Sequence, residues 1–159
     1  MTQQMSSPIL VLADQSGTHL TSLARQAVTL AASLTSADVV ALSVAPTPDA
    51  AALSELGATR VLHADLGPSG HSSVVASDAV IAALGTDSFG LVLLCSDYRG
   101  REIAGRVAAL TEAGVISGAS SVSFDGGVLQ VGKTALGGSW SMGIVLEGQT
   151  PIVGISSGV

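Results

Sequence analysis

The chain has 159 residues, 47% of them hydrophobic, and a formal net charge of -6 with only six Lys and Arg. This length suffices for one domain with a core, and the acidic balance excludes a phosphate-seeking surface, so we expect no nucleic-acid partner. The single cysteine predicts the absence of an internal disulfide, and residues 1–7 lack the basic residues that begin a secretory signal. No apolar run approaches the roughly 20 residues that span a bilayer. We therefore expect a cytoplasmic protein that does not insert into a membrane.

The first part of the chain alternates predicted strands with predicted helices. Residues 9–13 form an uninterrupted apolar run, which is typical of a strand covered on both faces. Apolar residues then recur at helical spacing over 20–34, and a second apolar strand is predicted over 38–43. Pro48 suits the start of a short helix and Gly57 its end. This order is typical of an α/β protein.

A third strand and helix follow the same order. Residues 60–64 predict the strand and 65–70 a loop, and a third helix is predicted over 72–84. Its apolar stripe is predicted at Val75, Ala79 and Ala82.

Residues 91–95 predict a fourth, central strand, because all five are apolar. Cys95 lies inside this run and is predicted to be a small buried hydrophobe rather than a nucleophile. The fourth helix is predicted to bury Ile103, Val107 and Leu110. Four alternations of strand and helix predict a three-layer α/β fold with a doubly wound, mostly parallel, Rossmann-like sheet.

The hydrophobic pattern of the sequence changes from residue 115 onward, where short apolar runs are separated by glycine-rich turns. Residues 125–127 read Asp-Gly-Gly, which predicts a hairpin between strands over 121–124 and 128–131. We therefore expect C-terminal strands that extend the sheet, some of them antiparallel. Trp140, the only tryptophan, is either a core plug or an interface anchor.

The loop after the central strand is the candidate site, because ligands of parallel sheets meet the carboxyl ends of the strands. Ser96, Arg99, Gly100 and Arg101 are the candidate residues, forming either a phosphate-binding loop or part of an interface. In the alternative interpretation Asp97 caps the helix, the glycine lets the backbone turn, and the arginines pair with carboxylates locally or across an interface.

Several self-contained sites are missing from the sequence. Neither a Gly-x-Gly-x-x-Gly dinucleotide motif nor a P-loop occurs. His19, His63 and His71 have no metal-ligand spacing, and we expect each to be structural or solvated. No catalytic residue and no metal site are therefore predicted.

Residues 91–108 resemble a segment of the amino-terminal domain of electron transfer flavoprotein alpha subunits, in which a buried strand leads into a Gly-Arg-acid sequence. Residues 9–14, 53–62 and 135–139 agree with that family in the same order. The resemblance covers nearly the whole chain and implies a single domain over 1–159 with the fold of adenine nucleotide alpha hydrolases and universal stress proteins.

The resemblance also implies a function. The domain would be a scaffold that packs on an electron transfer flavoprotein beta subunit, in an electron carrier that serves flavin dehydrogenases and a quinone reductase. FAD would lie mostly in a C-terminal domain of the alpha subunit that is absent from this chain, and AMP would belong to the beta subunit. Within 132–139 the chain keeps the Gly-Gly pair but lacks the Arg-Pro pair and Tyr that the family usually has before it, and 155–158 replace the usual Val-Arg-Pro-Gly. We therefore expect the chain to supply surface rather than redox chemistry.

Two alternatives share this architecture. A universal-stress-type module would bind an adenine nucleotide with the loop of residues 96–101 on its phosphates. A hydrolase of the same fold would need a nucleophile-base pair or a metal set, neither of which the sequence offers.

Overall fold

The apolar runs of the sequence form the centre of an eight-stranded sheet in the computed structural model, which describes residues 3–146 and 149–159. Residues 1 and 2, which belong to the N-terminal segment 1–7 without basic residues, lie outside the described residues. The strands are β1 (Ile9–Leu12), β2 (Gln15–Ser16), β3 (His19–Leu20), β4 (Val39–Ser43), β5 (Arg60–His63), β6 (Leu91–Cys95), β7 (Val115–Asp125), β8 (Val128–Ala135), β9 (Trp140–Leu146) and β10 (Ile152–Ile155). The helices are α1 (Ser22–Leu34), α2 (Ala50–Glu55), α3 (Ser73–Leu84) and α4 (Tyr98–Thr111), with a short 3-10 helix at Gly67–His71.

The sheet has the order β5-β4-β1-β6-β10-β7-β8-β9. The first six strands of this order are parallel, and β8 is antiparallel to both of its neighbours. At the centre of the sheet, Ile9 of β1 is paired with Val39 of β4 on one side and with Leu91 of β6 on the other. The predicted fold class is therefore confirmed, including the antiparallel extension. The separate two-residue strands β2 and β3 form a small hairpin after β1.

The two faces of the sheet bury different helices. Side chains of α1 and α2 pack on one face, and side chains of α3 and α4 pack on the other. The strands β1 and β6 are neighbours in the sheet, and the long helices that follow them, α1 and α4, pack on opposite faces. A crevice is expected where neighbouring strands diverge in this way, and it is where ligands bind in open α/β sheets.

Side-chain caps set where the long helices begin. The Thr21 hydroxyl accepts a hydrogen bond from the backbone N–H of Ala24 at 3.1 Å, so α1 starts at Ser22. Leu20, predicted to belong to this helix, lies in β3 instead. Its side chain is still buried, which explains why it matched the helical spacing.

The predicted buried faces of two helices are wrong in detail. The face of α3 that is buried consists of Ala76, Ser77, Val80 and Ala83, one residue along from the predicted stripe of Val75, Ala79 and Ala82. This helix is apolar almost all round, so the sequence pattern does not define its inner face. On α4, Ile103 and Val107 are buried as predicted, whereas Leu110 lies 59% exposed.

The predicted hairpin connects β7 and β8 through Gly126 and Gly127, which have φ angles of 58° and 79°. The last strand was not placed by the sequence: β10 lies between β6 and β7 and is parallel to both. In the part of the chain that the structure describes, no helix is long and apolar enough to cross a membrane.

Candidate functional site

A cavity of about 580 Å³ lies at the carboxyl ends of β1 and β4, beside the start of α4. Its lining comes from the segments that follow these strands, from the 3-10 helix and from α4. The residues are Ala13, Asp14, Gln15, Gly17, Thr18, Thr21, Val44, Ala45, Pro46, Thr47, Gly67, Gly70, His71, Asp97 and Arg99. Because Asp14 follows β1 while Asp97 and Arg99 follow β6, the cavity includes the crevice where the chain leaves these two neighbouring strands toward opposite faces.

Arg99 connects three segments at this cavity. Its Nη1 donates to Oδ1 of Asp14 at 2.8 Å, and its Nη2 donates to the carbonyl oxygen of Gly70 at 2.7 Å. Its Nε is buried and has no hydrogen-bond partner among the described residues. Each terminal nitrogen of this guanidinium therefore uses one of its two N–H donors within the protein.

The start of α4 is capped by its own sequence. Oδ1 of Asp97 accepts a hydrogen bond from the backbone N–H of Gly100 at 2.7 Å, which confirms the predicted cap. A side chain at Gly100 would overlap the carbonyl oxygen of Cys95, so this glycine allows the helix to start close against the end of β6. Cys95 is itself buried, as predicted, and burial raises the pKa of its thiol to about 12.

The four predicted site residues do not converge on one point. Only Arg99 lines the cavity. The Ser96 hydroxyl accepts a hydrogen bond from the backbone N–H of Gly118 in β7 at 2.8 Å, and Gly100 is buried. Arg101 is exposed and forms no ion pair with a described residue. The phosphate or interface role of this loop stays a prediction.

The charge of the cavity is mainly negative. Burial raises the pKa of Asp14 above its ordinary value, Arg99 opposes this rise, and Asp97 adds to it. Two carboxylates and one guanidinium therefore line the cavity, and the guanidinium is paired with one of the carboxylates. A phosphate entering here would have to compete with Asp14 for Arg99.

Gln15 organises the rim of the cavity and was not singled out from the sequence. Its Oε1 accepts from the backbone N–H of Asp49 at 2.9 Å, and its Nε2 donates to the carbonyl oxygen of Thr47 at 3.0 Å. A signal for this region did exist in the sequence, since polar residues follow both β1 and β6. The carboxyl ends of neighbouring parallel strands meet at the same edge of the sheet.

The three histidines make no metal centre, since no group of three or more metal-ligating side chains occurs in residues 3–146 and 149–159. His19 is exposed, and its Nδ1 lies 3.9 Å from Oδ2 of Asp49. His63 Nε2 lies 2.8 Å from the carbonyl oxygen of Ala45. His71 lines the cavity.

A second surface feature lies on the edge strand β9, which pairs with β8. Because side chains alternate along a strand, Trp140, Met142, Ile144 and Leu146 share one face of β9. Ile144 and Leu146 pack against the core, whereas Trp140 is 64% and Met142 is 42% exposed. The core-plug interpretation of Trp140 is therefore wrong, and the interface-anchor interpretation stays a prediction. Trp140 and Met142 are called the β9 apolar patch below.

The model of a family described as electron transfer flavoprotein domain matches residues 9–159. The chain belongs to this family. A comparison with curated protein sequences gives no match. The match confirms the family that the sequence resembles, and it is consistent with the amino-terminal domain of an alpha subunit. The family is one of electron carriers rather than classical enzymes.

The cavity of this electron transfer flavoprotein domain does not fit FAD, the cofactor that the family implies. A dinucleotide carries a diphosphate, whose negative charges proteins hold with cations or with the free N–H groups at a helix start. Here the one lining guanidinium, that of Arg99, is bonded to Asp14 and Gly70, and Asp97 adds negative charge. No step of redox chemistry is derived for the residues of this chain.

Proposed function

We propose that this chain is the amino-terminal domain of an electron transfer flavoprotein alpha subunit, folded as one domain over residues 1–159. It acts in the cytoplasm as a scaffold that packs on a beta subunit. FAD is held mostly by a C-terminal domain of the alpha subunit outside this chain, and AMP by the beta subunit. The assembly passes electrons from flavin dehydrogenases to a quinone reductase.

The family match over residues 9–159 is the observation that carries this proposal, because it spans the whole sheet and every helix. The absence of a fit between the cavity and a diphosphate supports a cofactor held elsewhere in the assembly. A domain that contributes to an electron carrier without holding its flavin contributes through the surface that it presents.

The β9 apolar patch supports docking on a partner. Trp140 and Met142 continue the inner face of the sheet past the point where the described helices cover it. Large, exposed aromatic and methionine side chains are the residues that interfaces enrich at their buried centres. Tyr98, the first residue of α4, is 91% exposed and gives the predicted interface segment an aromatic side chain as well.

The nucleotide-binding and hydrolase alternatives have less support. The hydroxyl of Ser96 lies against β7, Arg99 is paired with Asp14, and Arg101 does not line the cavity, so the loop of residues 96–101 brings no unpaired cation to the cavity for a phosphate. A hydrolase would need an accessible nucleophile, and Cys95 is buried.

Co-expression tests the proposed function. The chain carries an affinity tag and is produced with an electron transfer flavoprotein beta subunit and a polypeptide containing the FAD-binding domain. We expect the three to elute together with the visible absorbance of bound flavin, and the chain alone to elute colourless. Stoichiometric flavin on the chain alone, or no complex with either polypeptide, would overturn the proposal.

The double variant Trp140→Ser, Met142→Ser locates the docking surface within this experiment. We expect it to keep its far-ultraviolet circular dichroism and to lose most of the beta subunit from the eluate. Leu110→Ser is the matched control, since it removes another exposed apolar side chain, 59% accessible, from α4. Equal retention of the beta subunit by both variants would place the interface elsewhere.

A further inference from the structure

The strand β9 forms one edge of the eight-stranded sheet, and β8 is its only neighbour among the described strands. On its other side, β9 makes no backbone hydrogen bond with a described residue. An edge strand presents a row of unpaired N–H and C=O groups, with which a further strand can pair. This side of β9 is called the β9 free edge below.

The features that usually protect an edge strand are missing from β9. Its seven residues, Trp-Ser-Met-Gly-Ile-Val-Leu, include no charged residue and no proline. Its pairing with β8 is continuous over all seven positions, so no bulge interrupts it. The opposite edge strand, β5, has only four residues and includes Arg60. The β9 free edge therefore has the properties of an edge that accepts another strand.

Exposed apolar side chains are concentrated around this edge. Among the described residues, four of the eight large hydrophobic side chains that are exposed lie within residues 136–146. They are Leu136, Trp140, Met142 and Val145. Leu136 is 76% exposed and has a φ angle of 52°, a backbone conformation that is costly for a leucine. A concentration of exposed apolar side chains is typical of an interaction surface.

The sequence of β9 is complementary to itself. When two copies of β9 run antiparallel about a two-fold axis through Gly143, the middle residue, Trp140 lies opposite Leu146 of the second copy. Met142 then lies opposite Ile144 of the second copy. These four side chains share one face of the strand, so apolar residues meet apolar residues. Because β9 carries no charge, no like charges meet across the axis.

We propose that the β9 free edge pairs antiparallel with the same edge of a second copy of this chain, so that two sheets become one continuous sheet. The contact is small and each copy carries a net charge of -6, so we expect a dissociation constant of about 0.1 mM. At about 1 µM the chain is therefore a monomer. A second copy and the beta subunit of the proposed function would both use the β9 apolar patch, so they exclude each other.

Charges placed at the axis test the proposal by analytical ultracentrifugation. A Cβ atom at Gly143 meets nothing within 4 Å, so a side chain fits there. Gly143→Lys and Gly143→Glu each place like charges opposite one another, and we expect each variant alone to dimerise at least about tenfold more weakly than the natural chain. An equal mixture of the two should recover the dimer, because Lys then lies opposite Glu.

The matched control is Gly105→Lys on α4, where a Cβ atom also meets nothing within 4 Å. It adds the same charge away from β9 and should dimerise like the natural chain. Far-ultraviolet circular dichroism of every variant shows that the fold is kept.

Crosslinking tests the register. Paired Cα atoms of antiparallel strands lie about 4.5–5.5 Å apart, within the range of a disulfide. Cys95 is buried, so Gly143→Cys adds the only accessible thiol. We expect a mild oxidant to convert Gly143→Cys at 0.1 mM into a covalent dimer, and Gly105→Cys to remain mostly monomeric under the same conditions.

Each of three results overturns the proposal. One is a natural chain that stays monomeric at 1 mM. Another is a mixture of the Lys and Glu variants that dimerises no better than either variant alone. The last is equal crosslinking of Gly143→Cys and Gly105→Cys. All of these measurements use the chain without a beta subunit, so their failure leaves the proposed docking function untouched.

Discussion

Arg99 and Asp14 are 85 positions apart in the sequence and 2.8 Å apart in the structure, measured from Nη1 to Oδ1. The two side chains are 27% and 12% exposed, so the ion pair is largely removed from solvent. It joins the end of β1 to the start of α4, and the second terminal nitrogen of Arg99 extends the connection to Gly70. A largely buried pair of this kind costs stability when only one partner is removed.

The titration of Asp14 gives a prediction about stability and pH. Burial raises the pKa of Asp14 above its ordinary value of 3.8, so the folded chain holds this proton more tightly than the unfolded chain. The stabilising contribution of that proton is complete below the ordinary pKa and is lost as pH rises through the raised pKa. Asp14→Asn removes the titration. We expect the free energy of unfolding of the natural chain, relative to this variant, to rise as pH falls from neutrality toward the ordinary value.

Urea unfolding at several pH values measures this difference. Asp78→Asn serves as the control for the loss of an exposed carboxylate, since its side chain is 61% accessible. A difference between the natural chain and Asp14→Asn that stays constant or falls on acidification would contradict the raised pKa.

Gly100 is expected to be intolerant of a side chain. A Cβ atom there would overlap the backbone carbonyl of Cys95, which cannot move aside without shifting β6. We expect Gly100→Ala to lower the free energy of unfolding by about 3 kcal/mol. In the same helix a Cβ at Gly105 meets nothing within 4 Å, so Gly105→Ala should raise stability by about 0.5–1 kcal/mol. Denaturant unfolding of both variants measures these changes in the free energy of unfolding. Equal changes in the two variants would mean that α4 does not approach β6 as closely as described.

Cys95 is expected to be unreactive in the folded protein. Its side chain is buried in the central strand, and the pKa of its thiol is raised to about 12, mainly by burial. We expect a thiol reagent to modify it only after unfolding, so the labelling rate should follow the unfolded fraction as denaturant is added. Stoichiometric labelling within seconds in buffer alone would show that the end of β6 is accessible.

Trp140 gives a direct optical report on the proposed docking surface. It is the only tryptophan and is 64% exposed, so the emission of the chain alone should resemble that of tryptophan in water. Addition of the beta subunit should move this emission to shorter wavelength, because the indole then leaves water. A beta subunit whose own tryptophans are replaced by phenylalanine isolates the signal. If size exclusion shows that the complex forms but the emission does not change, Trp140 lies outside the interface.

Much of the fold could be predicted because the relevant signals are local. The uninterrupted apolar runs of β1, β4 and β6 indicate strands covered on both faces, and Asp97 and residues 125–127 carry their own capping and turn chemistry. The position of β10 between β6 and β7 could not be read from periodicity, since an apolar run does not specify its neighbours.

The candidate site was only partly predictable. Arg99 was identified from its place after a strand, but its partners Asp14 and Gly70 lie on other segments of the chain. Ser96 follows the same strand, yet its hydroxyl bonds to β7 rather than to the cavity. Sequence position therefore indicates the edge of the sheet at which a residue lies, whereas the direction of its side chain depends on the strands and helices around it.

The insertion of β10 between β6 and β7 also bears on how the chain reaches its native state during synthesis. Translation completes β6 and β7 long before it reaches Ile152, so the nascent polypeptide exposes two adjoining rows of unpaired backbone groups in the meantime. Open strand edges of this kind attract other chains. A ribosome that pauses before β10 is made, or a protease that removes β10, would thus turn the middle of this sheet into a point of self-association, and chaperone engagement should be needed most at that stage.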